Sequence, residues 1–298
     1  MTPRSDSPRL AGVELGGTNA VMVLGHGTSI AERHSFRVSG PDETLNAIAG
    51  QLRQWQPEAL GIATFGPIRV DPSAADHGSI LKTTKPGWSD AQILSHLAAA
   101  VDGPARIHTD VVGAALAEGR LGAARGCSDF VYITIGTGIG FGIIANGQPV
   151  VGRLHPEGGH LRVRRAAGDD FAGTCPFHGD CLEGLASGPA LAARFGGNAA
   201  LAPNDDPFWA FVVDSLAEAC ASLMLLLASE RIIFGGGVTA GRPWIAARVA
   251  TAVEAKLARY LPPLPARAFV TAELGTDAGP TGALLLAEQA YLAGLANL

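Results

Sequence analysis

The residues best able to do chemistry in this 298-residue chain lie close together: His160, Cys175, His178 and Cys181. A Cys-x-x-His-x-x-Cys run supplies three soft or borderline donors, and His160 can complete a tetrahedral set from a flanking turn. With every position filled by protein, no place is left for a reactive water. Zinc bound here is therefore expected to be structural, ordering a loop too poor in apolar residues to fix itself. The alternative, two buried thiols beside two surface imidazoles, leaves the spacing unexplained. Cys127 and Cys220 have no such neighbours and read as packing residues.

Three glycine turns form a second group: Gly16-Gly17-Thr18, Gly136-Thr137-Gly138 and Gly235-Gly236-Gly237. A dinucleotide fingerprint needs a helix directly after its glycines, whereas the first two turns run into another β-rich segment. In such a unit, backbone N–H groups point into the turn, and the missing Cβ lets phosphate oxygens reach them. One turn of this kind is an ordinary hairpin; two at matching places, with a third after another strand, point to a nucleotide. Asp110 falls where a strand ends and a helix begins, a place that suits a proton-accepting base, although capping is the commoner role of Asp there. Glu157 and Glu183 flank the metal loop, each beside Gly, and could accept hydrogen bonds from a polyhydroxylated ligand; singly, each would be a solvated charge.

These groups need elements to hold them. Strands are predicted at Gly12 to Leu15, Ala20 to Leu24 and Ile30 to Val38 as an antiparallel meander, followed by a helix from Glu43 to Trp55 and a strand from Ala59 to Phe65. Ser89-Asp90-Ala91-Gln92 has capping-box spacing before a helix from Ile93 to Val101; Ala105 to Thr109 reads as a strand and Asp110 opens a helix to about Gly122. Phe130 to Ile135 and Phe141 to Ala145 are strands, and Arg153 to Gly188 is loop-rich. Helices at Phe208 to Ser229, Trp244 to Tyr260 and Thr281 to Leu295 and a strand at Arg231 to Phe234 complete the chain. Val13 to Thr18 aligns with Ile133 to Gly138 at an offset of 120 residues, so the chain is expected to hold two similar lobes with a boundary near Gly113.

Composition narrows the function. The chain is 47% hydrophobic and only 16% charged, which excludes disorder. A net charge of −5, with no basic run longer than Arg164-Arg165, argues against nucleic acid as a partner. The opening Met1 to Leu10 is polar, and the apolar stretch Ala219 to Ser229 is too short to span a bilayer, so a cytoplasmic protein without membrane partners is expected.

Glu14-Leu15-Gly16-Gly17-Thr18, Phe65-Gly66-Pro67, Lys85-Pro86-Gly87-Trp88, Thr109-Asp110, Gly136 to Gly140, His155 to His160 and Cys175 to Gly184 together resemble bacterial fructokinases of the ROK (repressor, open reading frame, kinase) family, in order from residue 11 to about 290. The resemblance implies a two-lobed, actin-like α/β fold with a structural zinc loop at 155–185. Residues 1–112 would form the N-terminal lobe, with 281–298 packing back on it, and 113–280 the C-terminal lobe. ATP and a sugar would bind between the lobes, and a homodimer is expected. Asp110 matches the catalytic base; Gly66, Pro67, Glu157, His160 and Glu183 match sugar contacts; and His160, Cys175, His178 and Cys181 match the zinc ligands.

On this pattern Gly16, Gly17, Thr18, Gly136, Thr137 and Gly138 would hold the β- and γ-phosphates, Gly235 and Gly236 would sit under the adenosine, and Glu14 would position Mg²⁺ through water. Two positions depart from the family: Asn19 stands where Lys is usual, and Val112 where Asn is usual. The implied activity is ATP-dependent phosphorylation of a primary hexose hydroxyl, fructose O6 foremost, with mannose, glucose or a cyclitol as alternative acceptors. A sugar-responsive repressor of the same family would need a DNA-binding region before Glu14, where only 13 residues stand. A zinc hydrolase is disfavoured by the four protein ligands.

Overall fold

The computed structural model describes residues 7–296; the first six residues of the polar opening and the last two of the segment 281–298 expected to pack on the first lobe lie outside the described residues. The described chain divides into two units. The first contains residues up to Ala117, Val150–His155 and the chain from Thr276 onward; the second contains Glu118–Pro149 and Pro156–Gly275.

In the first unit β1 (Leu10–Leu15), β2 (Asn19–His26) and β3 (Ser29–Arg37) form the expected antiparallel meander. Helix α1 (Pro41–Trp55) follows, with Pro41 at its start, Asp42 and Glu43 in its first turn and Arg53 in its last, as the helix dipole favours. Next come β4 (Ala59–Thr64), α2 (Ile93–Ala98), β5 (Ala105–Thr109) and α3 (Asp110–Leu121), the helix in which the division between units falls. The sheet order is β3-β2-β1-β4-β5, with β4 parallel to β1 and β5 parallel to β4. Leu45, Ile48 and Leu52 of α1 pack with Val13, Leu60, Ile62 and Ile107 of the sheet in one buried core.

The expected capping box does not form. Ser89 instead accepts a hydrogen bond from the Thr83 amide at 3.2 Å, Asp90 takes a φ of 65°, and α2 starts at Ile93 without a side-chain cap and stops three residues short of the expected Val101. The turn chemistry of the preceding loop wins over the capping motif.

The second unit repeats the plan. It contains β6 (Phe130–Ile135), β7 (Ile139–Ala145), β8 (Gln148–Pro149), α4 (Leu182–Ala186), α5 (Gly188–Phe195), α6 (Phe208–Leu227), β9 (Arg231–Gly235), α7 (Gly237–Ala240), α8 (Trp244–Leu257) and β10 (Phe269–Thr271). Its sheet order is β8-β7-β6-β9-β10, with β6 and β7 antiparallel and β9 and β10 parallel to β6. The sequence repeat is thus a repeat of topology. The turns differ by one residue: Leu15 pairs with Ala20, whereas Ile135 pairs with Ile139. Helix α6 is long and apolar enough to cross a membrane, but 56% of the qualifying window is buried in the structure, and its Asp214 and Glu218 bind Lys256 of α8 at 2.7 and 2.6 Å.

The final helix, α9 (Ala278–Ala296), lies across β1 and β4. Its approach depends on absent side chains: a Cβ on Gly61 would stand 2.0 Å from the Ala283 carbonyl oxygen, and one on Gly282 2.0 Å from that of Gly113. Backbone meets backbone here, which only glycine permits.

Candidate active site and metal centre

In the first unit the parallel strands β1, β4 and β5 end at one sheet edge, the usual place for ligands in open α/β sheets. That edge carries Glu14 at the end of β1, the turn Gly16-Gly17-Thr18, Gly66-Pro67 after β4 and Asp110 at the start of α3. The Gly16 amide donates to the Asn19 carbonyl at 3.0 Å, which closes the turn. The peptide between Gly66 and Pro67 is cis, and the next amide, of Ile68, donates to Nε2 of His155 at 3.0 Å.

Asp110 is partly buried, and its Oδ1 accepts from the Val111 amide at 2.8 Å. Burial raises its pKa from 3.8 to about 6, against the lowering pull of that hydrogen bond and of the Lys85 ammonium. Glu14 rises further, from 4.5 to about 7, through burial first and the Asp110 charge second. Two carboxylates at one edge, neither fully ionised, can take up a proton or receive a cation. His108, one residue before the Thr109-Asp110 pair, is pushed down to about 3 by burial and by the neighbouring His155 and Arg106, so it is neutral.

Lys85 is a group to which the sequence assigned no chemistry. Its ammonium donates to the Gly17 carbonyl and stands 4.1 Å from the Phe65 ring centroid. Only its place in a recurring motif could have pointed to it.

In the second unit β6 and β9 also end together, which brings Gly136-Thr137-Gly138 to the same sheet edge as Gly235-Gly236. Gly236 has a φ of 86°, and a Cβ there would stand 2.5 Å from the Ile135 carbonyl oxygen, so the crossing of β9 over the end of β6 requires glycine. The Gly235 carbonyl accepts from the Thr239 hydroxyl at 2.6 Å. Glu183, on α4, reaches the Gly136–Gly138 turn: its Oε2 accepts from the Ile139 amide at 3.0 Å, and a Cβ on Gly138 would sit 2.6 Å from that oxygen. Glu157 precedes a single 3-10 turn, Gly158–His160, whose last residue points into the cysteine and histidine cluster.

In that cluster the ligand atoms of His160, Cys175, His178 and Cys181 lie within 4.8 Å of one another. Nδ1 of His160 is 3.7 Å from Cys175 Sγ and 3.6 Å from Cys181 Sγ, and Nδ1 of His178 is 3.7 Å from Cys175 Sγ. Four donors placed ~2.0–2.3 Å from one tetrahedral ion are ~3.3–3.8 Å apart, so these nitrogen–sulfur separations fit a bound metal. Burial, and beyond it the neighbouring Cys175 thiol, push the Cys181 pKa up; a cation is what would displace its proton. Cys220 is buried and Cys127 half-buried.

A second fastening holds the same loop. Arg194 of α5 grips Asp169 with both terminal nitrogens at 2.9 and 2.8 Å, donates from Nε to the Leu185 carbonyl of α4 at 3.1 Å, and stacks 4.3 Å from the Phe171 ring centroid. Both charged side chains are almost wholly buried, at 4% and 2% exposure, a pairing the sequence did not reveal. It ties the stretch between His160 and Cys175 to the two helices after the cluster, one of which carries Glu183.

The duplicated sheet plan and these groups belong to the actin-like ATPase fold class in its sugar-kinase form. The chain is a member of the ROK family, whose model matches residues 10–290. It is 39% identical over 288 residues to a fructokinase from Pediococcus pentosaceus, covering 94% of this chain and 98% of that protein. It is 38% identical over 303 residues to a putative fructokinase from Bacillus subtilis strain 168, covering 97% and 98%. Among solved structures, the ROK hexokinase from Thermus thermophilus superposes with a TM-score of 0.79 at 26% identity, covering 96% of this chain and all of that one.

Proposed function

We propose that the protein is an ATP-dependent hexose kinase that converts fructose to fructose 6-phosphate. The observation that carries the reading is Asp110, a partly buried carboxylate held near pKa 6 at the sheet edge that bears the first glycine turn. Similarity to fructokinases along almost the whole chain supports the choice of sugar.

In this reaction the sugar O6 attacks the γ-phosphorus, the bond from that phosphorus to the β,γ-bridging oxygen breaks, and ADP leaves. Asp110 takes the hydroxyl proton as the new bond forms, which a group half-ionised near pH 6 can do at neutral pH. Amides of Gly16, Gly17 and Thr18, and those of Gly136, Thr137 and Gly138, would hold the β- and γ-phosphates, with Gly235 and Gly236 under the adenosine. Gly66, Pro67, Glu157, His160 and Glu183 would meet the sugar hydroxyls. With Nδ1 of His160 turned to the thiols, Nε2 of the ring is left for the sugar.

The separations above support zinc in the four-donor cluster, where it would hold the segment from Glu157 to Glu183 in one geometry. Glu14 and Asp110 are hard oxygen donors whose charged forms are disfavoured by burial, that of Glu14 also by the Asp110 charge, so a divalent cation beside them would be welcome and they fit Mg²⁺. When bound, Mg²⁺ would neutralise phosphate charge. A cytoplasmic location and a homodimer belong to the same proposal.

A second reading, another hexose as acceptor, rests on Val112. Its side chain is only 1% exposed and offers no hydrogen bond where the family usually has Asn, so a sugar hydroxyl met there would go unread. The test is ADP release from Mg-ATP across fructose, glucose, mannose, hexosamines and cyclitols. Fructose should give the highest kcat/KM; preference for another hexose favours the second reading, and no ADP with any acceptor refutes both.

A further inference from the structure

On the kinase reading above, we propose that Lys85 is the cation of the first glycine turn, its ammonium contacting the terminal phosphoryl oxygens of the nucleotide while Asp110 faces the acceptor hydroxyl. The turn has no charge of its own: Gly16, Gly17 and Thr18 are neutral, and Asn19 at its end is an exposed amide. Lys85 comes from a distant loop to fill that gap, and its ammonium donates to the Gly17 carbonyl.

The loop that delivers it is well fixed. The Lys85 amide donates to Thr83 Oγ1 at 3.3 Å, and the Lys85 carbonyl accepts from the Trp88 amide at 3.2 Å. Trp88 is buried, and its Nε1 donates to the Ser39 carbonyl at 3.0 Å. Phe65 stands edge-on to Trp88 at 5.2 Å between centroids and presents its face to the ammonium. A cation over an aromatic face is aimed without being neutralised.

Among the described residues Lys85 forms no ion pair with a carboxylate, although Asp110 acts on it through space. Arg33, the cation that acts on Glu14, is paired with Asp277. One N–H of Lys85 is spent on Gly17, leaving two for an anion. Partial burial without a counter-ion is costly for a lysine and is relieved when phosphate arrives.

The test compares the wild type with Lys85→Met, Lys85→Gln, Asn19→Lys/Lys85→Met and, as a control, Lys82→Met, which alters an exposed lysine three residues away. Loss of one preorganised charge partner of a transferring phosphoryl group should lower kcat about 100-fold in both Lys85 variants with the sugar KM little changed, and Lys82→Met should match the wild type. Calorimetric titration should show weaker binding of the triphosphate analogue AMPPNP but unaltered binding of ADP, a difference that a merely misshapen loop would not produce. Restoring positive charge at position 19 should recover at least part of kcat. An active wild type whose folded Lys85 variants keep kcat within about threefold overturns this inference and leaves the kinase reading standing. Equal losses of AMPPNP and ADP affinity overturn it too, and a wild type that releases no ADP overturns both.

Discussion

Replacing Asp110 by Asn should remove activity and make the protein more stable. The Asn side chain keeps an oxygen for the Val111 amide, so the start of α3 survives and the ionisable group alone is lost. The wild-type carboxyl titrates at about 6 in the folded chain against 3.8 ordinarily. Between those values the folded protein holds a proton that the unfolded chain has released, so this group's contribution falls as pH rises through the window and is fully unfavourable above about 6. A difference of about two pH units corresponds to ~3 kcal/mol. Asp110 keeps some contact with water, so ~1–2 kcal/mol is the expected gain at pH 7.5, a rise in Tm of roughly 2–4 °C for each kcal/mol. Removing the Asp110 charge should also lower Glu14 from its value of about 7, adding to the gain. Thermal melts of both proteins at pH 5 and pH 7.5, with a kinetic assay alongside, make the comparison. The stability gain should be larger at pH 7.5, kcat should fall by about 10²–10⁴, and wild-type kcat/KM should climb through pH 6. A variant that melts at or below the wild type at pH 7.5, or that keeps kcat within about tenfold, refutes the argument that a strained carboxylate is the base.

Three other changes probe the supports. Chelation, or Cys181→Ser, should release one zinc per chain by elemental analysis and open the segment 161–181 to proteases as activity disappears; full activity in the metal-free protein would remove the proposed structural role. Arg194→Met strands the buried Asp169 carboxylate, with Arg165 still 3.3 Å away, so denaturant unfolding should show a loss toward the lower end of about 3–5 kcal/mol. Gly138→Ala places a Cβ 2.6 Å from Glu183 Oε2, a movable group, so stability should drop by only about 1 kcal/mol. The sugar KM should rise about fivefold or more as Glu183 is displaced, and an unchanged KM would take Glu183 out of the sugar contacts.

The repeated strand plan was readable because both halves place short, β-rich apolar runs on either side of a glycine turn, and β5 and β6 have the residues expected of them. Helices α4 and α5 were not readable. They are short, and Gly184, Gly188 and Pro189 look like breakers, yet Pro189 occupies the opening turn of α5, where a missing N–H costs nothing. Strand β10 is three residues long and is held by pairing with β9, information no local window contains. In the same way the metal cluster announced itself through close spacing, whereas the pairing of Asp169 with Arg194 spans 25 residues and the contact of Lys85 with Gly17 spans 68. Such long-range partners are set by packing, not by periodicity.

The discontinuous make-up of the first unit bears on how the protein is born. Strands β1 and β4 emerge early from the ribosome, but the helix that covers their glycine-lined face, α9, is translated after every other described element. The second unit can therefore fold while the first still waits for its closing piece. A stop codon ahead of Ala278 would leave a nascent chain with that sheet surface bare, a natural substrate for chaperones and proteases, however intact the earlier residues are.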